Sequence, residues 1–259
     1  MRKKIIIIAG PCVVESFEML DETASKLKDI FKNYDNIDFY FKSSYKKANR
    51  SSITSFTGVG DEKALIWLKL VGEKYKLKLL TDVHETTDVE MVTNYVDVLQ
   101  IPAFLSRQTD LLIAAAKTGK QINIKKGQFM APDDMQKVVE KIINFNNKKI
   151  WLTERGTCFG YHNLIVDFRG ILEMQKMKFP VIYDATHSLQ LPSIGVETGG
   201  KPEFIFALTR AAVAVGVEGV FFETHPNPKL AKSDSATQLP LSEAESFVKM
   251  IMKYININL

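Results

Sequence analysis

The sequence predicts an α/β fold, a (β/α)8 (TIM) barrel, from three observations. Eight short apolar runs recur along the 259 residues. Segments of helical period lie between them. The length is close to the ~250 residues such a barrel uses. Alternating strand and helix favours a parallel sheet with right-handed crossovers. An open doubly wound sheet is the structural rival, and the count of eight together with the length favours closure. One catalytic domain spanning residues 1–259 is expected.

Run 5–10 follows Arg2-Lys3-Lys4 and so imitates a secretory leader. Pro11 and Glu15 cut it short and no small-residue cleavage site follows, which favours a buried first strand. Residues 17–31 place Leu20, Ala24, Leu27, Ile30 and Phe31 on one stripe, the pattern of an amphipathic helix. Run 37–41 is the second strand, and 49–61, rich in Ser, Thr and Gly, a long loop. Helix 63–75 buries Leu65, Leu68 and Val71. Runs 77–80 and 96–99 are strands three and four. Segment 110–118 is alanine-rich and a strong helix former.

Run 122–124 is strand five. Segment 133–145 groups Met135, Val138, Val139, Ile142 and Ile143, with Asp133 as the expected N-cap. Runs 150–153 and 181–183 are strands six and seven. Loop 188–201, with Pro192, Gly195, Gly199 and Gly200, is long enough to act as a lid. Helix 204–215, strand 217–222 and helix 242–254, capped by Ser242, close the chain.

Composition excludes several classes. Hydrophobic residues make up 46% and charged residues 25%, ordinary for a soluble globular protein. A net charge of +4 is too mild to argue for nucleic acid. No stretch approaches the ~20 apolar residues of a membrane span. The two cysteines, Cys12 and Cys158, suit a reducing cytoplasm, although a disulfide is open on sequence alone.

Nearly every run ends in residues able to do chemistry, and parallel barrel strands bring such endings to one rim. Cys12, His187 and Glu223 follow strands one, seven and eight, and Asp234 lies in the loop beyond. Thiolate, imidazole and carboxylates suit a transition metal. Their spacing is no metal motif, so pattern alone favours a buried structural cysteine, a hydrogen-bonded core histidine and a surface ion pair over a metal site. Lys42, Arg50, Arg107, Lys125 and Arg155 form a second group. Long cations at strand ends are costly to desolvate without anionic partners. They imply a phosphorylated substrate, or ion pairs with Asp82, Glu154 or Asp184, or both. Lys46, Lys47, Asn49, Arg50, Ser51 and Ser52 offer dense donors for a sugar phosphate, as would a solvated loop. No G-x-G-x-x-G follows a strand. His162 and His225 read as loop histidines and Cys158 as packing.

Nine stretches together carry a resemblance over almost the whole chain. They are Ala9-Gly10-Pro11-Cys12, Phe41-Lys42-Ser43-Ser44, Lys47-Ala48-Asn49-Arg50-Ser51-Ser52, Gln100-Ile101-Pro102-Ala103-Phe104-Leu105, Arg107-Gln108-Thr109-Asp110, Lys125-Lys126-Gly127-Gln128-Phe129, Leu152-Thr153-Glu154-Arg155-Gly156, Asp184-Ala185-Thr186-His187-Ser188 and Phe222-Glu223-Thr224-His225-Pro226. The chain resembles the 3-deoxy-D-manno-octulosonate 8-phosphate synthases. These are barrels that condense phosphoenolpyruvate with D-arabinose 5-phosphate toward the lipopolysaccharide sugar Kdo.

The resemblance implies that Lys42, Gln100, Lys125 and Arg155 contact phosphoenolpyruvate, and Ser43 is a further candidate substrate-binding residue. It implies that Lys47, Asn49, Arg50 and Ser51 contact arabinose 5-phosphate. Arg107 matches an arginine that reaches a neighbouring subunit's site in a homotetramer. Cys12, His187, Glu223 and Asp234 match the ligands of the metal-dependent class, with Fe²⁺, Zn²⁺ or Mn²⁺. The metal-independent class carries asparagine where this chain has Cys12. His187, Asp234, Lys125 and Cys12 are the implied catalytic residues, and Asp82 and His84 have supporting roles. The rival is 3-deoxy-D-arabino-heptulosonate 7-phosphate synthase, which takes erythrose 4-phosphate. A Lys-Pro-Arg-Thr pattern typical of that enzyme is not what residues 47–52 show.

Overall fold

The computed structural model describes residues 4–50, 52–192 and 199–257. Eight parallel strands form the barrel: β1 (Ile5–Gly10), β2 (Ile37–Lys42), β3 (Lys78–Asp82), β4 (Val98–Ile101), β5 (Gln121–Lys125), β6 (Ile150–Glu154), β7 (Val181–Asp184) and β8 (Gly219–His225). Each pairs with the next, and β8 pairs back with β1, Ile6 opposite Gly219 and Gly10 opposite Glu223. Closure leaves no exposed sheet edge among these strands.

The helices are α1 (Phe17–Phe31), α2 (Asp61–Tyr75), α3 (Asp88–Thr93), α4 (Thr109–Lys117), α5 (Met135–Ile143), α6 (Arg169–Gln175), α7 (Ile205–Val215) and α8 (Ala244–Ile257). The sequence reading located six of these. It passed over α3 and α6, which are six and seven residues long. At under two turns, neither holds enough apolar positions for a 3.6-residue period to register. Two expected caps also differ. Asp133 lies inside a 3-10 turn, Pro132–Asp134, and there it is the Asp134 carboxylate that accepts from the Ala131 amide at 3.3 Å. Ser242 lies inside the turn Leu241–Glu243.

The two-residue period of each strand divides its side chains between two apolar bodies. One set, including Ile7, Phe41, Leu99, Ile124, Leu152 and Phe222, faces the helices in the main core. The other, Ile6, Ile8, Tyr40, Leu80, Val98, Trp151, Ile182 and Phe221, fills the barrel's lumen. There the Tyr40 and Trp151 rings meet edge to face at 4.9 Å. The lumen is thus a plug, and the space for a ligand lies above it, at the carboxyl ends.

Three short strand pairs trim that rim: Thr157–Cys158 with Leu164–Ile165, Gln190–Leu191 with Gly199–Gly200, and Leu239–Pro240 alongside β8. His225 is not the loop residue expected. It ends β8, buried, with Nε2 3.7 Å from Glu15. Both cysteines are free. Among the described residues no helix is long and apolar enough to cross a membrane.

Gly10 governs the junction between β1 and the site. Its φ is +155°, and a Cβ there would stand 2.0 Å from the Lys42 carbonyl oxygen. Backbone against backbone cannot give way, so Gly10→Ala is expected to destabilise by about 3 kcal/mol or more, with loss of folded protein as the extreme. Urea unfolding beside the parent checks this, and an unchanged midpoint would contradict it.

Candidate active site

One step beyond the apolar lumen, the same inward register turns polar. Tyr40 is followed by Lys42, Leu80 by Asp82, Val98 by Gln100, Ile182 by Asp184 and Phe221 by Glu223. On β5 and β6 the inward residues are Asn123, Lys125 and Thr153, with Arg155 just beyond. All are at most 8% exposed, so their charges need partners inside the protein.

The partners are present. Lys42 Nζ lies 2.6 Å from Glu223 Oε1 and donates to the Cys12 carbonyl at 2.8 Å. Burial alone would lower the pKa of Lys42, but the Glu223 and Asp82 carboxylates outweigh it and hold the lysine charged. Lys125 Nζ lies 2.8 Å from Asp184 Oδ2 and 3.8 Å from the centre of the Phe221 ring. A polar chain crosses the floor: Thr153 Oγ1 donates to Asn123 at 2.6 Å, Asn123 Nδ2 to Gln100 at 2.8 Å, and Gln100 Nε2 to Asp82 at 2.5 Å. The Ser44 hydroxyl also donates to Asp82.

Above this floor opens a cavity of about 820 Å³. Lys42, Lys47, Asn49, Arg50, Gln100, Lys125, Arg155, His187, Glu223 and Asp234 all line it. Cys12 lies behind Asp234, buried. Ser43 is elsewhere: its hydroxyl is buried without a partner, and the neighbouring Ser44 lines the cavity instead. This follows from alternation, since Lys42 already takes the inward position. Arg107 is exposed and outside the cavity, its carbonyl accepting from Lys141 at 3.4 Å. Ser51 lies outside the described residues. Arg155 is 4% exposed, and only Nη2 is engaged, donating to Gln190 at 3.1 Å. Among the described residues Nε and Nη1 have no hydrogen-bond partner, as suits a group open to an anion.

A second corner collects soft and hard donors. Cys12 Sγ and one oxygen each of Glu223 and Asp234 lie within 4.8 Å of one another. His187 Nε2 is 3.6 Å from Glu223 and 3.8 Å from Asp234. His187 Nδ1 faces Asp184 Oδ2 at 2.9 Å. That carboxylate holds the ring with its Nε2 edge toward the corner, the outer support metal-bound histidines use. Glu223 Oε2 is buried with no partner. That unsatisfied oxygen and the S, N, O, O donor set fit a divalent transition metal. Burial, then Asp234 and Glu223, push the Cys12 thiol well above its ordinary range, so only a strong cation would stabilise its thiolate.

Sequence reasoning passed over two amides. Gln190 Nε2 donates to Asp234 Oδ1 at 2.8 Å while its oxygen accepts from Arg155, tying the two halves of the mouth together. Gln238 Oε1 accepts from the Cys12 backbone amide at 3.2 Å. Neither position ends a barrel strand, so no rim signal marks it. Asp184 was visible as an ion-pair partner, but its link between Lys125 and His187 requires the fold.

Fold and mouth together define an anion-binding (β/α)8 barrel with a metal-competent corner. Comparison with known proteins narrows this. Residues 2–257 match the model of the DAHP synthetase I family. The chain is 49% identical over 253 residues to 2-dehydro-3-deoxyphosphooctonate aldolase of Fusobacterium nucleatum subsp. nucleatum, covering 97% of this chain and 91% of that protein. It is 52% identical over 242 residues to the protein of that name from Koribacter versatilis, covering 92% and 86%. Against the one from Campylobacter jejuni subsp. doylei the identity is 47% over 267 residues, covering 98% and 99%. The chain belongs to the DAHP synthetase I family and, within it, groups with the 2-dehydro-3-deoxyphosphooctonate aldolases.

Asp82 provides a pH test. Burial would raise its pKa, but Lys42 outweighs burial and holds the carboxyl well below the usual range. A depressed folded value stabilises the fold above the unfolded pKa of about 4, and that contribution is lost as pH falls below it. Asp82→Asn is therefore expected to cost about 3 kcal/mol at pH 7, the gap narrowing toward pH 3. Urea midpoints of both proteins across that range measure it, and a gap that widens on acidification would contradict the assignment.

Proposed function

We propose that this chain condenses phosphoenolpyruvate with D-arabinose 5-phosphate and water, giving 3-deoxy-D-manno-octulosonate 8-phosphate and inorganic phosphate for Kdo and lipopolysaccharide synthesis. The observation that carries the reading is one cavity joining the open guanidinium donors of Arg155 to the Cys12–His187–Glu223–Asp234 corner. The relatives' name adds carbon arithmetic. An eight-carbon acid built from a three-carbon enol leaves a five-carbon aldehyde as acceptor.

Carbon 3 of phosphoenolpyruvate attacks carbon 1 of the open-chain sugar, forming the C–C bond while the aldehyde oxygen takes up a proton. Positive charge develops at carbon 2 of the enol phosphate. Water adds there and loses a proton; the hydroxyl so formed then becomes the carbonyl at carbon 2, its second proton passing to the departing oxygen as the bond from carbon 2 to that bridging oxygen breaks and phosphate is released. Arg155 and Lys125 hold the phosphate and carboxylate of phosphoenolpyruvate. Lys42 and Gln100 reach its reacting end from the floor. Lys47, Asn49, Arg50 and Ser51 grip the sugar phosphate, with Arg107 of a neighbouring subunit, and so fix where the aldehyde stands. His187 and Asp234, beside the reacting carbons, can pass a proton.

Cys12, His187, Glu223 and Asp234 would hold Fe²⁺, Zn²⁺ or Mn²⁺. When bound, such an ion supplies Lewis-acid polarisation of the aldehyde or activation of the water. This reading takes residues 1–259 as one catalytic domain of a cytoplasmic homotetramer.

Phosphate release from phosphoenolpyruvate should require arabinose 5-phosphate and should not follow from erythrose 4-phosphate. The reverse preference would assign the heptulosonate reaction. Chelation should abolish turnover and added Fe²⁺, Zn²⁺ or Mn²⁺ restore it, and Cys12→Ala should lose bound metal by elemental analysis. Full turnover by metal-free protein would remove the metal from the scheme. Arg50→Ala should raise KM for arabinose 5-phosphate at least about tenfold, the effect of losing a charge-assisted phosphate contact, and leave KM for phosphoenolpyruvate within about twofold. Equal effects on both would move Arg50 from the sugar site.

A further inference from the structure

Two lysines reach the Cys12–Glu223–Asp234 corner and hold it differently. Lys42 takes Glu223 Oε1 at 2.6 Å and leaves Oε2 without a partner. It therefore occupies one oxygen and spares the other. Lys47 instead sits between two donor atoms. Its Nζ is 3.2 Å from Cys12 Sγ and 3.0 Å from Asp234 Oδ2, which are themselves 3.0 Å apart. The other oxygen of Asp234 is held by Gln190 at 2.8 Å. A divalent ion bonds to thiolate at ~2.3 Å and to carboxylate at ~2.0–2.2 Å. To bond both atoms it needs the space and lone pairs that the Lys47 ammonium uses, and like charges at such range repel.

Lys47 also has somewhere else to go. Its backbone amide is fixed, donating to Thr57 at 2.8 Å, but its four-carbon stem is flexible. The same segment lines the cavity beside Asn49 and Arg50.

We infer that Lys47 is an exchangeable counter-ion of the metal corner. Its ammonium and a divalent cation compete for Cys12 and Asp234, and the displaced ammonium serves the anionic sugar phosphate. This rests on the metal and acceptor assignments proposed above. Coupling of this kind is reciprocal: the cation frees Lys47 for the sugar phosphate, and the sugar phosphate, by drawing Lys47 away, tightens the cation.

The test titrates chelator-stripped full-length protein with Co²⁺ against a chromogenic chelator. Lys47→Met is expected to bind Co²⁺ at least about tenfold more tightly than the parent, a difference of about 1.4 kcal/mol. Lys47→Gln serves as a second variant should Met disturb folding, which circular dichroism reads. Lys74→Met is the control, since Lys74 faces Asp21 at 2.8 Å outside the cavity, and should bind as the parent does. Arabinose 5-phosphate should tighten Co²⁺ binding by the parent and not by Lys47→Met. Reductive methylation followed by mass spectrometry should find Lys47 more reactive after Co²⁺ loading. Equal or weaker binding by both Lys47 variants, or protection of Lys47 by Co²⁺, overturns the inference. Co²⁺ binding by neither parent nor variants overturns the metal reading itself and the inference with it.

Discussion

Two buried ion pairs, Lys42–Glu223 and Lys125–Asp184, are the constraint on which the rest of the mouth depends. Their side chains are 7% exposed or less. Removing one partner from such a pair costs about 3–5 kcal/mol, because the survivor is left charged without water. The barrel therefore has to hold β2 and β8 at a fixed spacing on either side of β1, and β5 and β7 on either side of β6. Any change that loosens this spacing unpairs a charge. Cationic ends that a ligand could use are in this way held together against their mutual repulsion when no ligand is bound.

The pairs also explain why the polar layer is confined to one level. Below it, Ile8, Leu80, Val98, Ile182 and Phe221 close the lumen and keep water out. Above it the cavity opens. A charge one pair of residues lower on any strand would be sealed among these side chains, and one pair higher would be solvated. Gly10 belongs to this arrangement. By lacking a Cβ it lets the Lys42 carbonyl approach β1, so that the chain turns and brings Cys12 alongside Lys42.

Much of this is legible in the sequence because strand register has a period of two. The runs ending in Lys42, Lys125, Asp184 and Glu223 carry their chemistry at the inward position, so locating the strands locates the site. Helices were legible only when long enough to repeat, as α1 is and α3 is not. The rim loops obey no period. Gln190 joins Arg155 to Asp234 through a loop whose path comes from tertiary contacts. Ser43 is a candidate on sequence, but alternation turns it away from the cavity and brings Ser44 in. His225 reads as a loop residue because the apolar run stops at Phe222, whereas β8 continues through Glu223 and Thr224, both wholly buried.

Once the two ion pairs are formed, the charges that remain uncompensated divide the mouth. On one side Arg155 keeps two guanidinium nitrogens without partners; on the other, Glu223 keeps an oxygen and Cys12 a thiol that burial holds protonated. The first suits an anion and the second a cation. Gln190 touches both, its carbonyl oxygen toward Arg155 and its amide nitrogen toward Asp234. Flipping that amide would break both bonds together, so the two halves cannot be reoriented independently. Asp234 has a left-handed backbone, φ +48°, a conformation aspartate tolerates better than most residues. With that backbone and the Gln190 bond, its second oxygen faces Cys12. Gln190 thereby links Arg155 to the donor set of the opposite corner through one side chain.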